Sequence, residues 1–147
     1  AEGDVGRGWG HLAEGEREEG KPMIYSAKLE IETICLTQDF YKKSCFFLIS
    51  HITDSTFIRA LAEYLLEAGC RDFHFWGDKE SVWHLLFDEV DVERTIENDL
   101  EDIALTSGYD NIEDFSRELW MQFSQDVYLF YDDEAAYQWV FQSKVDR

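Results

Sequence analysis

Positive charge is what this 147-residue chain most lacks: thirteen Lys and Arg stand against thirty-two Asp and Glu, a formal net charge of −19. Proteins that hold nucleic acid gain affinity by releasing counterions around Lys and Arg, so this balance argues against direct nucleic-acid binding. Proline occurs once, at Pro22, and three cysteines (Cys35, Cys45, Cys70) form neither an even disulfide set nor a C-x-x-C pair. Buried thiols are the reading that follows. No apolar run approaches the ~18 residues of a membrane helix, and the acidic, Gly-rich start lacks the basic-then-apolar pattern of a secretory signal, so a cytoplasmic protein is expected. Neither G-x-G-x-x-G, G-x-x-x-x-G-K-[ST] nor G-x-S-x-G occurs, which removes the usual phosphate loops and the hydrolase nucleophile turn.

Six of the nine glycines lie in residues 1–22, which read as a flexible leader before a single α/β domain over 23–147. The Glu16–Lys21 stretch has the residues that purine-rich codons upstream of a start would encode, so Met23 is expected as the natural first residue. Beyond it, Ala27–Leu36 alternates charged and apolar side chains and can add an N-terminal strand. Ser44–Ser50 is an uninterrupted apolar run of strand length, as in a central strand. Four strand–helix units then follow. Thr53 or Asp54 caps a helix through Phe57, Leu61 and Leu65 to Gly69; Phe73–Gly77 is followed by a helix over Ser81–Val92 with Val82, Leu85, Leu86 and Val90 on its inward face. Asp102–Thr106 precedes a helix from Ile112 to Phe123, and Val127–Tyr131 precedes one through Tyr137 and Phe141. Four consecutive units predict a Rossmann-like or flavodoxin-like three-layer sandwich on a mainly parallel sheet, with strand order 2-1-3-4 counted from Cys45.

Ala68-Gly69-Cys70, the aromatic strand ending in Trp76-Gly77 and the later strand ending in Leu105-Thr106 resemble a group of small uncharacterised bacterial Rossmann-like domains over about residues 44–143. The resemblance implies the fold; the group has no assigned activity, so it implies no functional residue.

In open parallel sheets ligands bind outside the carboxyl ends of the strands, and each loop there carries a carboxylate: Asp54, Asp78, Asp110 and Asp132 among them. These could surround Mg²⁺ or a nucleotide in a small enzyme or sensor. Against this, Asp54 would repel a phosphate from the hydroxyl-bearing Thr53–Thr56 loop, and the acid pairs of response regulators and haloacid dehalogenases are missing after the first strand. Asp54, Asn111 and Asp132 also suit helix capping. His51, His74 and His84 have no metal-ligand spacing with each other or with the cysteines. No catalytic set, metal or cofactor is expected.

The acids are unevenly spread: Asp78–Asp114 holds thirteen of them against Lys79 and Arg94 alone. One reading is a solvated face that maintains solubility. The other is a docking surface for a basic protein, in which opposite potentials steer encounter and aromatic anchors supply affinity. The expected contact set is Asp78, Glu80, Trp83, Asp88, Glu89, Asp91, Glu93, Glu97, Asp99, Glu101, Tyr109 and Asp110, with Trp120 at the margin. The function that follows is that of a non-enzymatic acidic inhibitor, of the immunity-protein or antitoxin kind, covering a basic toxin or nuclease by charge mimicry; a regulatory subunit of a larger complex is the remaining alternative.

Overall fold

A strand covered on both faces must be apolar at successive positions, and Ser44–Leu48 is buried at all five. The computed structural model describes residues 12–14, 24–30, 44–98, 103–121 and 126–145. Over these the chain runs β1 (Leu12–Glu14), β2 (Ile24–Lys28), β3 (Ser44–Leu48), α1 (Ser55–Glu67), β4 (Asp72–Trp76), α2 (Glu80–Glu97), β5 (Leu105–Gly108), α3 (Ile112–Trp120), β6 (Val127–Tyr131) and α4 (Glu134–Val145). The strands form one sheet in the order β1-β2-β6-β3-β4-β5, parallel from β2 to β5, with β1 antiparallel to β2.

The α/β sandwich is as expected, but the strand order is not. Counted from Cys45 it is 4-1-2-3 instead of 2-1-3-4. The first two crossovers run the same way along the sheet and leave α1 and α2 together on one face; only the third turns back, so that β6 enters beside β3 with α3 and α4 on the other face. Leu12–Glu14, expected in a flexible leader, pairs with Ala27, Ser26 and Tyr25 of β2. The strand that follows Met23 is Ile24–Lys28, earlier than the alternation over 27–36 predicts, and residues 31–36, with Cys35, lie outside the described residues.

Period-two alternation divides the core. Cys45, Phe47 and Ile49 of the β3 segment face α1 and α2 with Phe73, Phe75, Tyr128 and Phe130, while Phe46 and Leu48 face α3 and α4 with Val127 and Leu129. Phe47 is the hub of the first layer, with ring centroids 5.0–5.5 Å from Phe75, Trp83, Phe87 and Phe130. Cys45 and Cys70 are fully buried free thiols with sulfurs 3.7 Å apart, in agreement with the sequence reading; burial, reinforced by Cys70 and by the Asp72 charge, pushes the Cys45 thiol well up.

Local signals set the helix ends. Asp54 accepts from the Phe57 N–H at 3.1 Å, and Asn111 from the Asp114 N–H at 2.8 Å, both as N-caps. Gly69, at φ +100°, closes α1: its N–H donates to the Leu66 carbonyl and the Cys70 N–H to the Leu65 carbonyl. Gly77, at φ +132°, passes so close to the end of β3 that a Cβ would lie 2.0 Å from the Ile49 carbonyl oxygen.

Candidate docking face and strand-end loops

The sheet reverses direction between β3 and β6, so the crevice where such folds take ligands lies between the loops that follow these strands. A carboxylate of the protein itself fills it. Asp132 accepts from the backbone N–H groups of Ser50 at 2.7 Å, His51 at 3.1 Å and Ile52 at 2.7 Å. Three amides converging on one point make an anion cradle, and here the anion is a side chain. Asp132 therefore does not cap α4 as expected; Asp133 does, accepting from the Ala136 N–H at 3.0 Å while its other oxygen takes the Ser50 hydroxyl at 2.7 Å. Of the four strand-end acids that a metal or nucleotide site would use, Asp54 and Asp132 are committed to backbone amides, and Asp78 and Asp110 sit exposed in the loops after β4 and β5. Among the described residues no three His, Cys, Asp or Glu side chains are grouped to hold a metal ion.

Charge in the 78–114 region is distributed over three different surroundings. On the α1 side of α2, Arg59 of α1 pairs with Glu89 at 3.2 Å and with Glu93. On the β5 side, Asp88 accepts from the Thr106 hydroxyl at 2.7 Å, and His84 lies between Glu80 (3.3 Å) and Asp88 (3.5 Å) while its Nε2 is 2.9 Å from Thr106. Asp91 is turned inward.

Asp91 is 3% exposed and so cannot meet a partner. Its Oδ2 accepts the Ala104 N–H at 3.0 Å, and its Oδ1 is buried with no hydrogen-bond partner. Burial raises its carboxyl above the ordinary range, against the opposing pull of the Ala104 N–H and of Arg71 and Arg94. Taking the Ala104 amide also explains why β5 begins at Leu105, three residues later than the apolar run from Asp102 predicts.

Trp83 is likewise removed from the candidate contacts. It is fully buried, stacked on Phe87 and tilted against Phe47, and its Nε1 donates to the Ile52 carbonyl at 2.8 Å. The inward face of α2 centres on Trp83, Phe87, Val90 and Asp91; of the Val82–Leu85–Leu86–Val90 face read from the sequence, Val90 is buried, Val82 and Leu86 pack at the margin of the core, and Leu85 points out. The largest aromatics win the interior because each buries the most apolar area. Trp120 also packs inward, edge-on to Phe141, with its Nε1 donating to the Val140 carbonyl.

Tyr109 belongs to the opposite layer. Its hydroxyl is 2.7 Å from Nδ1 of His74, whose Nε2 meets Asp72 at 2.9 Å, and its ring lies edge-on to Phe115 of α3. Burial, with Glu118, Asp72 and Asp114 nearby, pushes the Tyr109 phenol up to about 12, so it acts as a neutral hydrogen-bonding group. Burial also acts to raise Asp72, but the His74 bond and charge and the Ser44 hydroxyl at 2.8 Å outweigh it and hold that carboxyl below its ordinary value. His74, 5% exposed and stacked 4.1 Å from Phe46, is the hydrogen-bonded strand histidine that its apolar neighbours suggested. Asp99 and Glu101 lie outside the described residues.

Compared with known proteins, the chain matches no protein-family model, no curated protein and no solved structure.

What sequence reasoning missed is a stripe of exposed apolar residues. Leu85, Val92 and Ile96 are 59%, 52% and 75% exposed on α2, opposite Trp83, Phe87 and Val90. The signal was present, since positions 85, 92 and 96 recur at helical spacing once Trp83 is placed inside. Asp88 flanks the stripe toward β5 and Glu89 and Glu93 flank it toward α1. Where α1 and α2 end, an open groove of about 690 Å³ is lined by Glu63, Tyr64, Glu67, Arg94, Glu97 and Asn98, with Arg94 drawn to Glu67 at 3.7 Å.

Proposed function

We propose that the protein is a non-enzymatic acidic inhibitor that covers a basic protein surface through the outer face of α2, in the manner of an immunity protein or antitoxin against a nuclease-like toxin. The observation that carries this reading is the Leu85–Val92–Ile96 stripe bordered by Asp88, Glu89 and Glu93. A helix of a monomeric domain ordinarily turns polar residues outward. Apolar side chains at the centre of an outward face, rimmed by carboxylates that outnumber the neighbouring Arg59, have the anatomy of an interface: a desolvated centre for affinity and a charged rim for steering. Of the twelve residues expected at the interface, Asp88, Glu89 and Glu93 border this face; Glu97 lines the groove between α1 and α2, Trp83 and Asp91 are core, and Tyr109 serves the α3 layer. The strand-end carboxylates favour inhibition over metal or nucleotide chemistry because Asp54 and Asp132 already have amide partners.

The test is capture of basic proteins on the immobilised chain at about 50 mM and about 300 mM salt. The expected outcome is a strongly basic protein retained at low salt, released at high salt, and not retained by Glu89→Lys/Glu93→Lys. A retained protein that ignores both salt and charge reversal, or no basic protein retained at all, overturns the proposal.

A further inference from the structure

We infer that the partner segment received by this face is a basic amphipathic helix lying along α2; the inference rests on the docking role proposed above and specifies what docks. Three features of α2 carry it. Leu85, Val92 and Ile96 fall on the seven- and four-residue steps of a helix–helix seam, with the acids Asp88 and Glu89 at the intervening turn, so the seam is apolar at both ends and acidic between them. It covers about 16 Å of helix axis, or three turns, enough to seat a partner helix of similar length. The charged neighbours lie on both sides of the seam, Asp88 toward β5 and Glu89 and Glu93 toward α1, in the flanking places where paired helices select one another by charge.

All those flanking acids have the same sign, and this decides the occupant. A second copy of the chain would bring Asp88, Glu89 and Glu93 against themselves, in a molecule of net charge −19. A helix with Lys or Arg beside an apolar stripe meets both requirements. Arg59 already shows the pairing, reaching Glu89 and Glu93 from α1 while leaving each carboxylate about half exposed.

The probe is a synthetic peptide of about 18 residues, with leucines at helical i, i+4, i+7 spacing and lysines elsewhere, compared with a scramble of the same composition. It is measured against the full chain and against Leu85→Glu/Val92→Glu/Ile96→Glu at about 150 mM salt. The variant adds three negative charges, so the two explanations give opposite signs. Docking in the seam makes the patterned peptide bind about tenfold tighter than the scramble and weakens it about tenfold in the variant. Equal binding of both peptides, strengthened in the variant, overturns the helix seam and leaves a purely electrostatic docking face. Absence of binding by either peptide to the full chain overturns the seam and the docking role together. Sedimentation of the full chain as a dimer that the variant dissociates overturns the seam in favour of self-association. The three positions are already exposed, so the circular dichroism and melting temperature of the variant are expected to match those of the full chain within a few degrees.

Discussion

Two aspartates in the same domain are held in opposite senses, and the difference comes from what surrounds each oxygen. Asp72 has His74 and Ser44 on one carboxylate oxygen and stays ionised below its ordinary range; Asp91 has one amide and one unpartnered oxygen in the interior and is raised. Linkage turns this into opposite pH dependences. The contribution of Asp72 is full above the ordinary aspartate value of about 3.9 and is lost as pH falls through its lower folded value. The ionised Asp91 is a penalty that is full above its raised folded value and disappears as pH falls toward about 3.9. Urea unfolding at pH 7 and pH 4.5 is expected to show the stability difference between Asp91→Asn and the parent shift toward the parent at the lower pH. The loss caused by Asp72→Asn is expected to stay constant between these two pH values and to narrow only as pH falls below about 3.9. A constant difference for Asp91→Asn, or one for Asp72→Asn that already narrows above pH 4.5, would contradict these environments.

At the level of elements, the loop after β3 and the start of α4 are one unit, because Asp132 satisfies three amides that would otherwise face the crevice. Hydrogen bonds to a charged group contribute about 1.5–3 kcal/mol each when buried, and this one is half exposed, so Asp132→Ala is expected to cost about 2 kcal/mol in denaturant unfolding. A change below about 0.5 kcal/mol would mean that water replaces the carboxylate at no loss. This tie was not legible in the sequence, where Asp132 reads as a cap; the competing cap, Asp133, is adjacent, and only the strand order brings Ser50 beside them. That order itself left a trace. Val127–Tyr131 is apolar throughout, as a central strand must be, whereas Leu105-Thr106-Ser107-Gly108 is short and polar, as suits an edge. Reading burial from these two strands would have placed β6 inside and β5 outside. The capping residues Asp54 and Asn111 and the Gly69 stop were readable because their partners lie within five residues along the chain. The face of α2 was not, because a tryptophan fits an interior or an interface equally well by composition.

For the molecule as a whole, a net charge of −19 gives compactness and the proposed binding of a basic partner opposite responses to salt. Screening relieves self-repulsion in the folded chain and weakens steering toward a positive partner. Raising sodium chloride from about 10 mM to about 300 mM is expected to raise the urea midpoint while slowing association with the basic partner proposed above; a midpoint and an association rate that rise together would remove charge as their common cause. The place of β6 has a further consequence, for how the chain assembles. Between β2 and β3 the sheet has no hydrogen bond of its own; Val127–Tyr131 pairs with both and spans the gap. Five strands have therefore been synthesised before the one that unites them exists, and until it inserts, β2 and β3 present open edges and the α3-facing core lacks Val127 and Leu129. A chain interrupted anywhere before residue 127 is an incomplete sheet with two adhesive borders, and a damaged message for this protein would yield a product prone to aggregation rather than a smaller working domain.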